Sequence, residues 1–278
     1  MAEIRITVLV ENTVYQGGLR GEHGLSVWVE TNGKRILFDT GQTDLLLDNA
    51  KALGIDIAHA DAIVLSHGHY DHVGGLDRVL DLAPQARVYL HPMALEPKFS
   101  NSKGSVREIG VASAMRDRLR DRIRSDKGMY TPATTPLLPG ATVTGQIPRV
   151  SRFEDTGGQF FLDAKCEKPD GLLDDQALFL DCAEGLVVVL GCAHAGVVNT
   201  LKHIQQIDPD KKIHGVLGGM HLVNASDTRV QQTIDALRRL EIDRVGPAHC
   251  TGPQAARQLW NALGDRCFLC CIGTQLTF

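Results

Sequence analysis

The chain has 278 residues, of which 43% are hydrophobic and 22% charged, and its formal net charge is −4. This composition predicts a folded globular protein rather than a disordered or fibrous one, because enough apolar surface is available to build a core. The small net charge gives no reason to expect a nucleic acid or an anionic membrane as a partner.

The N-terminal residues alternate like a strand and lack a basic region followed by a long apolar stretch, so we expect no signal peptide. No apolar run approaches the roughly 18 residues that suggest a membrane span. Seven cysteines are an odd number and cluster late in the chain, which argues against a disulfide framework. We therefore expect a cytoplasmic protein with reduced thiols.

The first third of the sequence alternates strand-like and helix-like segments. A hairpin is predicted to turn at Asn32-Gly33, because asparagine and glycine tolerate the positive φ that a tight turn needs. A short buried strand is predicted to end immediately before a dense cluster of histidines that starts at His67. In chain order, strands are predicted at 24–30, 34–39, 62–65 and 87–90, and helices at 45–53 and 75–82.

Residues 92–139 interrupt this alternation. The stretch is polar, and five arginines alternate with acidic residues between positions 116 and 126. We predict a partly helical insertion over the active face. The arginines fit either a solvated helix face or a clamp for a phosphate or carboxylate, since the guanidinium fork matches such anions.

The last part of the chain resumes the alternation of strands and helices. Strands are predicted at 177–181, 186–190, 213–217, near Val245 and at 268–277, and helices at 197–206, 227–240 and 253–263. Cys267 and Cys270 are interpreted as buried thiols on the final strand, because no second pair completes a tetrahedral zinc site. Two β-rich halves with helices outside predict one domain over residues 1–278, an α/β protein with a four-layer αββα sandwich.

Four potential metal ligands lie within six residues, directly after the predicted buried strand: His67, His69, Asp71 and His72. Imidazole nitrogens and carboxylate oxygens are ligands that divalent metals accept, and three histidines at this density have few purely structural uses. Residues two apart in an extended turn point the same way, so His67 and His69 are expected to bind one metal. Asp71 and His72 then face a second metal, which predicts a dinuclear metal centre.

The run His67-Gly-His69-Tyr-Asp71-His72-Val-Gly-Gly resembles the HxHxDH signature of the metallo-β-lactamase superfamily. Other segments resemble its branch of 7,8-dihydropterin-6-yl-methyl-4-(β-D-ribofuranosyl)aminobenzene 5′-phosphate synthase-like proteins, over nearly the whole chain outside 92–139. These segments are EHGLS at 22–26, LFDTG at 37–41, LDDQAL at 173–178, LGCAHAGVVNTL at 190–201, GGMHL at 218–222 and PAHCTG at 247–252. The resemblance implies a metallo-β-lactamase sandwich with two divalent ions, zinc first and manganese or iron as alternatives.

The resemblance also implies roles for later residues. Asp39 matches a carboxylate that orients a metal-bound histidine, with a turn cap as the alternative. His249 matches the last histidine ligand of the superfamily. Cys192 stands where the family has a bridging aspartate, so either its thiolate or His194 from the same loop is a ligand. We expect His194, because it completes a three-histidine site.

Three further assignments stay open at this stage. The place of the superfamily's third-motif histidine falls in LDDQAL, where Asp175 is the remaining candidate ligand. His221 is a candidate catalytic proton donor or substrate contact, or a hydrogen-bonded loop histidine, and Asp71 is a candidate catalytic residue as well as a ligand. The other histidines share no spacing and are interpreted as structural or surface residues: His23, His59, His91, His203 and His214.

Three functions fit these residues. The first is a dinuclear, phosphodiesterase-like hydrolase, in which a metal-bridging hydroxide attacks a small phosphorylated, ester or lactone substrate, because metal binding lowers the pKa of water from ~15.7 towards ~7. The second, implied by the resemblance, is a pterin-linked transferase in methanopterin-type cofactor synthesis. The third is a diiron redox or binding protein. Hydrolysis of β-lactam antibiotics is disfavoured, because the usual third-motif histidine and an export signal are missing.

Overall fold

The computed structural model describes residues 3–102 and 104–278, which form two large β-sheets with helices on both outer sides. The helices are α1 (Leu45–Ala52), α2 (Tyr70–Val73), α3 (Leu76–Leu82), α4 (Ser113–Arg124), α5 (Val197–Ile207), α6 (Asp227–Arg239) and α7 (Pro253–Leu263). The strands are β1 (Ile4–Val10), β2 (Ser26–Thr31), β3 (Lys34–Phe38), β4 (Ala62–Val64), β5 (Arg87–Leu90), β6 (Phe99–Ser102), β7 (Ser105–Glu108), β8 (Gly128–Tyr130), β9 (Thr135–Leu138), β10 (Ala141–Val143), β11 (Phe160–Phe161), β12 (Leu178–Cys182), β13 (Gly185–Leu190), β14 (Ile213–Gly219), β15 (Arg244–Ala248) and β16 (Gln275–Thr277). Within these described residues, no helix combines the length and apolar character needed to cross a membrane.

The first sheet has the strand order β16-β1-β2-β3-β4-β5-β8. Its β2–β3 hairpin turns at Asn32 and Gly33, where φ is 51° and 70°, as the predicted tight turn requires. Strands β3, β4, β5 and β8 run parallel to one another. The loop that follows β4, which begins with the histidine cluster, therefore lies at the edge where the parallel strands end.

Successive side chains of β3 and β4 point to opposite faces of the first sheet, as the two-residue period of a strand requires. Ile36 and Phe38 pack in a core shared with the second sheet, whereas Leu37 packs against the outer helices. In β4, Ile63 likewise faces the helices. A sheet with two apolar faces is stable only when both are covered, and here the second sheet covers one face and α1, α3 and α4 the other.

The second sheet has the strand order β15-β14-β13-β12-β10-β9. Val187 and Val189 of β13 face the first sheet, while Val188 and Leu190 pack beneath α5, α6 and α7. Strands β13, β14 and β15 are parallel, so the loops that follow them meet at one edge of the sheet. The order of layers is helix, sheet, sheet, helix, and the predicted four-layer αββα sandwich is confirmed.

The segment 92–139, predicted as an insertion over the active face, contributes to all three sheets and to the outer helices, and its strand β9 pairs with β10 in the second sheet. Helix α4 packs on the outer face of the first sheet through Leu119, and Arg118 pairs there with Asp77 and Asp81 beside α3. Strand β8 extends the first sheet beyond β5. Strands β6 and β7 form a small third sheet with β11. Arg118 therefore joins α4 to α3 through exposed carboxylates, whereas the small sheet and the backbone at Ala94 approach the histidine-bearing loop.

The predicted final strand over 268–277 is wrong in its extent. Only Gln275–Thr277 pairs in β16, which adds to β1 of the first sheet. Cys267 instead makes an isolated bridge to Val245 of the second sheet, and Ile272 makes one to Val14. The segment crosses from one sheet to the other, so it cannot hold one strand register. Its three cysteines are buried, as predicted, but they lie in this crossing segment rather than on a strand.

Candidate metal centre

The candidate site lies where loops from both sheets meet. The loop after β4 carries His67 and His69, the loop after β13 carries Cys192 and His194, and β15 is followed directly by His249. Because β13, β14 and β15 run parallel, the residues after them lie side by side at one edge of the second sheet. The face-to-face packing of the sheets places this edge against the loop after β4.

Two glycines allow the chain to pass close to its neighbours in the loop after β4. A Cβ added at Gly68 would lie 2.3 Å from the carbonyl oxygen of Ala94, and one at Gly74 would lie 1.9 Å from that of Gln42. Both positions therefore exclude any larger residue. These close approaches hold the histidine-bearing turn against its surroundings.

The first cluster consists of His67, His69 and His194. Their ring centroids are 4.5 Å, 4.9 Å and 4.9 Å apart, and all three side chains are buried. The Nε2 atom of each ring is buried and has no hydrogen-bond partner among the described residues. Burial of three nitrogen atoms without hydrogen-bond partners destabilises the folded protein unless a cation accepts their lone pairs.

Hydrogen bonds at the far side of two rings set their tautomers. His194 donates through Nδ1 to the carbonyl oxygen of Thr156 at 2.8 Å. Ser66 Oγ donates to Asp39 at 2.6 Å and therefore accepts from Nδ1 of His67 at 2.9 Å. Both rings then present an unprotonated Nε2, which is the form that binds a metal.

Burial keeps this cluster neutral. Desolvation lowers the pKa of His69 to about 3 and also holds the pKa values of His67 and His194 well below the usual value for histidine. Neutral imidazoles are the form that a divalent metal binds, so no proton competes at ordinary pH. The cluster fits the three-histidine donor set of a zinc site.

The second cluster consists of Asp71, His72 and His249. The Nε2 atoms of His72 and His249 are 3.3 Å apart, and Asp71 Oδ2 lies 3.8 Å and 3.4 Å from them. His72 donates through Nδ1 to Asp39 at 2.7 Å, and Nδ1 of His249 lies 2.8 Å from Asn12 Oδ1. With both Nδ1 atoms engaged, the two Nε2 atoms and the carboxylate oxygen converge on one point, where a cation satisfies all three.

The second cluster is charged, in contrast to the first. Burial favours the neutral ring of His72, but the carboxylates of Asp39 and Asp71 outweigh it and raise the pKa of His72 to about 9. For Asp71, burial favours the neutral acid, yet His72, His23 and His249 hold the pKa of this carboxyl well below its usual range. A buried carboxylate that stays ionised attracts a cation.

Cys192 lies between the two clusters. Its Sγ is 3.2 Å from Nε2 of His72. It forms one group of potential metal ligands with His67 and His194 and another with His72 and His249, each with its ligand atoms within 4.8 Å of one another. Burial raises the pKa of this thiol, so it is a neutral group unless a cation binds beside it.

The two clusters border a cavity of about 320 Å³. His69, Asp71, His194 and His249 line its floor. The small third sheet contributes polar walls, including Arg107, and its Phe160 ring lies beside the histidines. The cavity can therefore admit a small polar molecule to both clusters at once.

Comparison with known proteins identifies the family. A family model described as the metallo-beta-lactamase superfamily matches residues 19–147. A curated relative, 7,8-dihydropterin-6-methyl-4-(beta-D-ribofuranosyl)-aminobenzene-5'-phosphate synthase of Methanocaldococcus jannaschii, is 32% identical over 265 residues, which cover 91% of this chain and 89% of the relative. The chain belongs to the metallo-β-lactamase superfamily.

Solved structures agree with this metallo-β-lactamase assignment. A crystal structure described as a metal-dependent hydrolase of the beta-lactamase superfamily is 32% identical, with a TM-score of 0.82 and 98% coverage of each chain. A diphosphatase from the PhnP family is 18% identical, with a TM-score of 0.54 over 100% of this chain and 98% of its own, and it shows the fold alone. The predicted family and fold are confirmed, and the fold implies divalent metal binding by an enzyme.

Among the residues predicted for this metallo-β-lactamase site, Asp175 is not placed with the metal-ligand clusters. Its Oδ2 accepts from the backbone N–H of Ala195 at 2.8 Å, and it belongs to none of the ligand groups found in the described part of the chain. Burial raises the pKa of Asp175 to about 7. The hydrogen bond to Ala195 positions the loop that carries His194 and Cys192, while Oδ1 of Asp175 is buried without a hydrogen-bond partner among the described residues. The assignment of Asp175 as a candidate ligand therefore stays a prediction.

His221 lies at the end of β14, with its ring centroid 4.2 Å from that of His194. It lines the cavity and forms a further ligand group with Cys192 and Cys250. Burial lowers the pKa of His221, but the adjacent thiol of Cys250 raises it more, so the net shift is upward. The geometry is compatible with proton donation or with substrate contact.

Sequence reasoning missed His23, which was interpreted as a structural or surface residue. Its Nε2 lies 3.1 Å from Asp71 Oδ2, and with Asp71 and His249 it forms a group of potential metal ligands. The signal was present in the sequence, because EHGLS was one of the segments that resemble the family branch.

A second missed feature is a buried ion triad below the first cluster. Lys98, which is fully buried, donates to Asp170 at 2.8 Å and to Asp174 at 2.9 Å. Asp174 in turn accepts from the backbone N–H of Gly68, the residue between His67 and His69, at 2.8 Å. The triad therefore ties the third sheet to the histidine-bearing loop.

Proposed function

We propose that this chain is a hydrolase that binds two divalent metal ions and cleaves a small phosphorylated, ester or lactone substrate. One observation carries the proposal. The unpartnered Nε2 atoms of His67, His69 and His194 lie beside a second set of converging ligand atoms, and both sets border one cavity. Two adjacent cation sites below a substrate-sized cavity are the arrangement that metal-assisted hydrolysis uses.

The donor atoms fit such ions. His67, His69 and His194 would hold one ion. Asp71, His72 and His249 would hold the other, and Cys192 lies between them. When bound, two divalent ions lower the pKa of water and stabilise the negative charge that develops on the substrate. Imidazoles with one carboxylate and one thiol favour zinc over manganese, because sulfur is a poor ligand for harder cations. A diiron site is the less favoured alternative, since the set contains one carboxylate.

The chain's own residues supply binding and proton transfer. Arg107 brings a positive charge to the wall of the cavity, where it can pair with a phosphate or carboxylate of the substrate. His221 lies beside the first cluster with its pKa raised, so a fraction of it carries a proton near neutral pH. We assign His221 as the group that protonates the leaving group. Asp71 keeps its negative charge and holds the second ion.

A second candidate is a pterin-linked transferase. The relative in Methanocaldococcus jannaschii that is named as a pterin-linked synthase matches this chain over 91% of its length. In this function the amino nitrogen of a ribofuranosylaminobenzene phosphate would form a bond to the 6-methyl carbon of a dihydropterin, and the leaving group on that carbon would depart with the electrons of its bond. The residues of the two clusters would hold the ions that stabilise the negative charge of the leaving group. Water would have to be excluded from the cavity during the transfer.

Metal content and turnover test the hydrolase. Purified without chelator, the protein should contain about two ions per chain and hydrolyse bis-p-nitrophenyl phosphate. His69→Ala removes one of three rings of the first cluster, so about one ion should be lost and the rate should fall by more than ~100-fold. His59→Ala is the matched control, because His59 is exposed and does not line the cavity over the clusters. Full metal content and full activity in His69→Ala would contradict the proposal.

A parallel assay separates the two candidates. The protein is incubated with a dihydropterin carrying a leaving group on its 6-methyl carbon, together with the ribofuranosylaminobenzene phosphate. Chromatography that shows the condensed product, with no hydrolysis of phosphodiesters, esters or lactones, would favour the transferase over the hydrolase.

A further inference from the structure

A second cavity, of about 550 Å³, lies next to the metal centre between α7 and the loop that follows β1. We call it the aromatic cavity. Asn12 and His249 line both it and the smaller cavity over the clusters. Those two residues are joined by a hydrogen bond of 2.8 Å, so the wall between the cavities includes a proposed metal ligand.

The aromatic cavity presents large apolar side chains to solvent. Tyr15 is 72% exposed, Leu269 49% and Trp260 41%, and all three line this cavity. Exposed aromatic side chains that are grouped around a cavity are typical of a binding site. Stacking on such rings favours a flat, unsaturated ligand.

The same cavity carries a positive charge. Arg257 precedes Trp260 by three residues on α7, so the two side chains share a face of the helix. No carboxylate among the described residues forms an ion pair with Arg257, which is exposed. An arginine without an ion-pair partner beside two aromatic rings is suited to the carboxylate or phosphate of an aromatic ligand.

We propose that the aromatic cavity binds the planar ring of an anionic aromatic substrate or product, with Trp260 and Tyr15 against the ring and Arg257 on the anion. Its volume falls in the range of small-molecule sites. The proposal deepens the proposed function and rests on it in one respect: the ligand lies beside His249 and so next to the reaction site.

Calorimetric titration with pterin-6-carboxylate, a flat anionic ring, tests this site. The matched probe is cyclohexanecarboxylate, which carries the same charge without a flat ring. We expect the pterin to bind and cyclohexanecarboxylate to bind at least ~10-fold more weakly, because stacking is lost. Trp260→Ala and Arg257→Gln should each weaken pterin binding by about 10-fold, whereas Trp260→Phe should keep most of it.

Two controls accompany these variants. Arg239→Gln changes an exposed arginine near the end of α6, and Tyr130→Ala changes a partly exposed tyrosine on β8, and neither residue lines the aromatic cavity. Both variants should bind the pterin like the unchanged protein. Equal binding of the two probes, or pterin binding unaffected by Trp260→Ala and Arg257→Gln, would overturn the proposal.

Two further measurements distinguish ring binding in this cavity from the proposed hydrolase activity and from self-association of the chain. Ring binding should persist in His69→Ala, so its retention there alongside lost hydrolysis supports the site independently of catalysis. Hydrolysis without any ring binding would refute the aromatic cavity and leave the proposed hydrolase intact. Sedimentation tests the other occupant, a second copy of the chain: a dimer that Trp260→Ala dissociates, with no ring binding, would assign the surface to self-association and overturn the proposal.

Discussion

The two neighbouring ligand clusters would bind a cation in different ways. The first consists of three buried neutral imidazoles, whose Nε2 atoms have no other partner. The second combines two imidazoles with an ionised carboxylate, and its His72 ring is held by Asp39. The first cluster would therefore bind a cation because its nitrogen lone pairs have no other partner among the described residues. The second would bind one because its carboxylate is negatively charged.

This difference has a consequence for how each cluster responds to substitution. Removal of a ring from the first cluster takes away a third of its donors, and Cys192 is the further potential ligand grouped with His67 and His194 among the described residues. The second cluster has His23 and Cys192 within reach of Asp71 and His72, so a partial loss can be compensated. We expect a single substitution to reduce the metal affinity of the first cluster more than that of the second.

The largest effect is expected at the loop after β13. His194→Ala removes one of the three rings of the first cluster, so metal content should fall towards one ion per chain. Cys192→Ser should keep both ions, because the three rings of the first cluster and the three converging ligand atoms of the second remain. Elemental analysis of the two variants checks this. The reverse pattern would make the thiolate the essential ligand, and two ions in both variants would show that this loop supplies none.

A smaller effect is expected at Asp39, which accepts a hydrogen bond from His72 but is not itself a proposed metal ligand. Asp39→Asn weakens the orientation of His72, and outer carboxylates of this kind are worth about 10- to 100-fold in metal affinity. The loss should appear in the weaker of two zinc dissociation constants measured with a chromophoric chelator. Equal weakening of both constants would mean that Asp39 acts on the first cluster as well, through Ser66.

His23 should contribute less, because its side chain is half exposed. His23→Gln keeps a polar side chain near Asp71 but removes the imidazole, and we expect at most a ~10-fold loss in affinity for the second ion. Competition titration, with His59→Ala as control, measures the change. A loss of the whole ion in His23→Gln would show that this histidine is an indispensable ligand.

The smallest effect concerns the pH dependence of stability. Burial raises the pKa of Asp175 to about 7, above its unfolded value, so the folded state holds a proton that the unfolded chain releases. This contribution to stability is present below about pH 4 and is lost as pH rises towards 7, at no more than ~1.4 kcal/mol per pH unit. Asp175→Asn should remove this loss, so the unfolding free energy of the chelator-treated protein in urea should change more favourably between pH 4 and 7 than in the unchanged protein. An unchanged slope would show that Asp175 is ionised in the folded state.

Local sequence was sufficient for the first part of the site. A short apolar strand followed by His67, Gly68 and His69 places two imidazoles at a sheet edge whatever the rest of the chain does, since strand and turn geometry are local. The four-layer fold was also predictable, because apolar strands that alternate with amphipathic helices have few ways to bury both faces. The family resemblance drew attention to the segments that carry His194 and His249, which lie at the edge of the same cavity.

Tertiary structure alone decided which of the remaining polar residues meet. His23 reaches Asp71, and Lys98 reaches Asp174, across separations of 48 and 76 residues that no periodicity encodes. Asp175 Oδ2 meets the backbone N–H of Ala195 for the same reason. The sequence determines the types of ligand residues and their local spacing. The partner of a buried polar atom depends instead on how separate loops pack, and the packing of the whole core determines that arrangement.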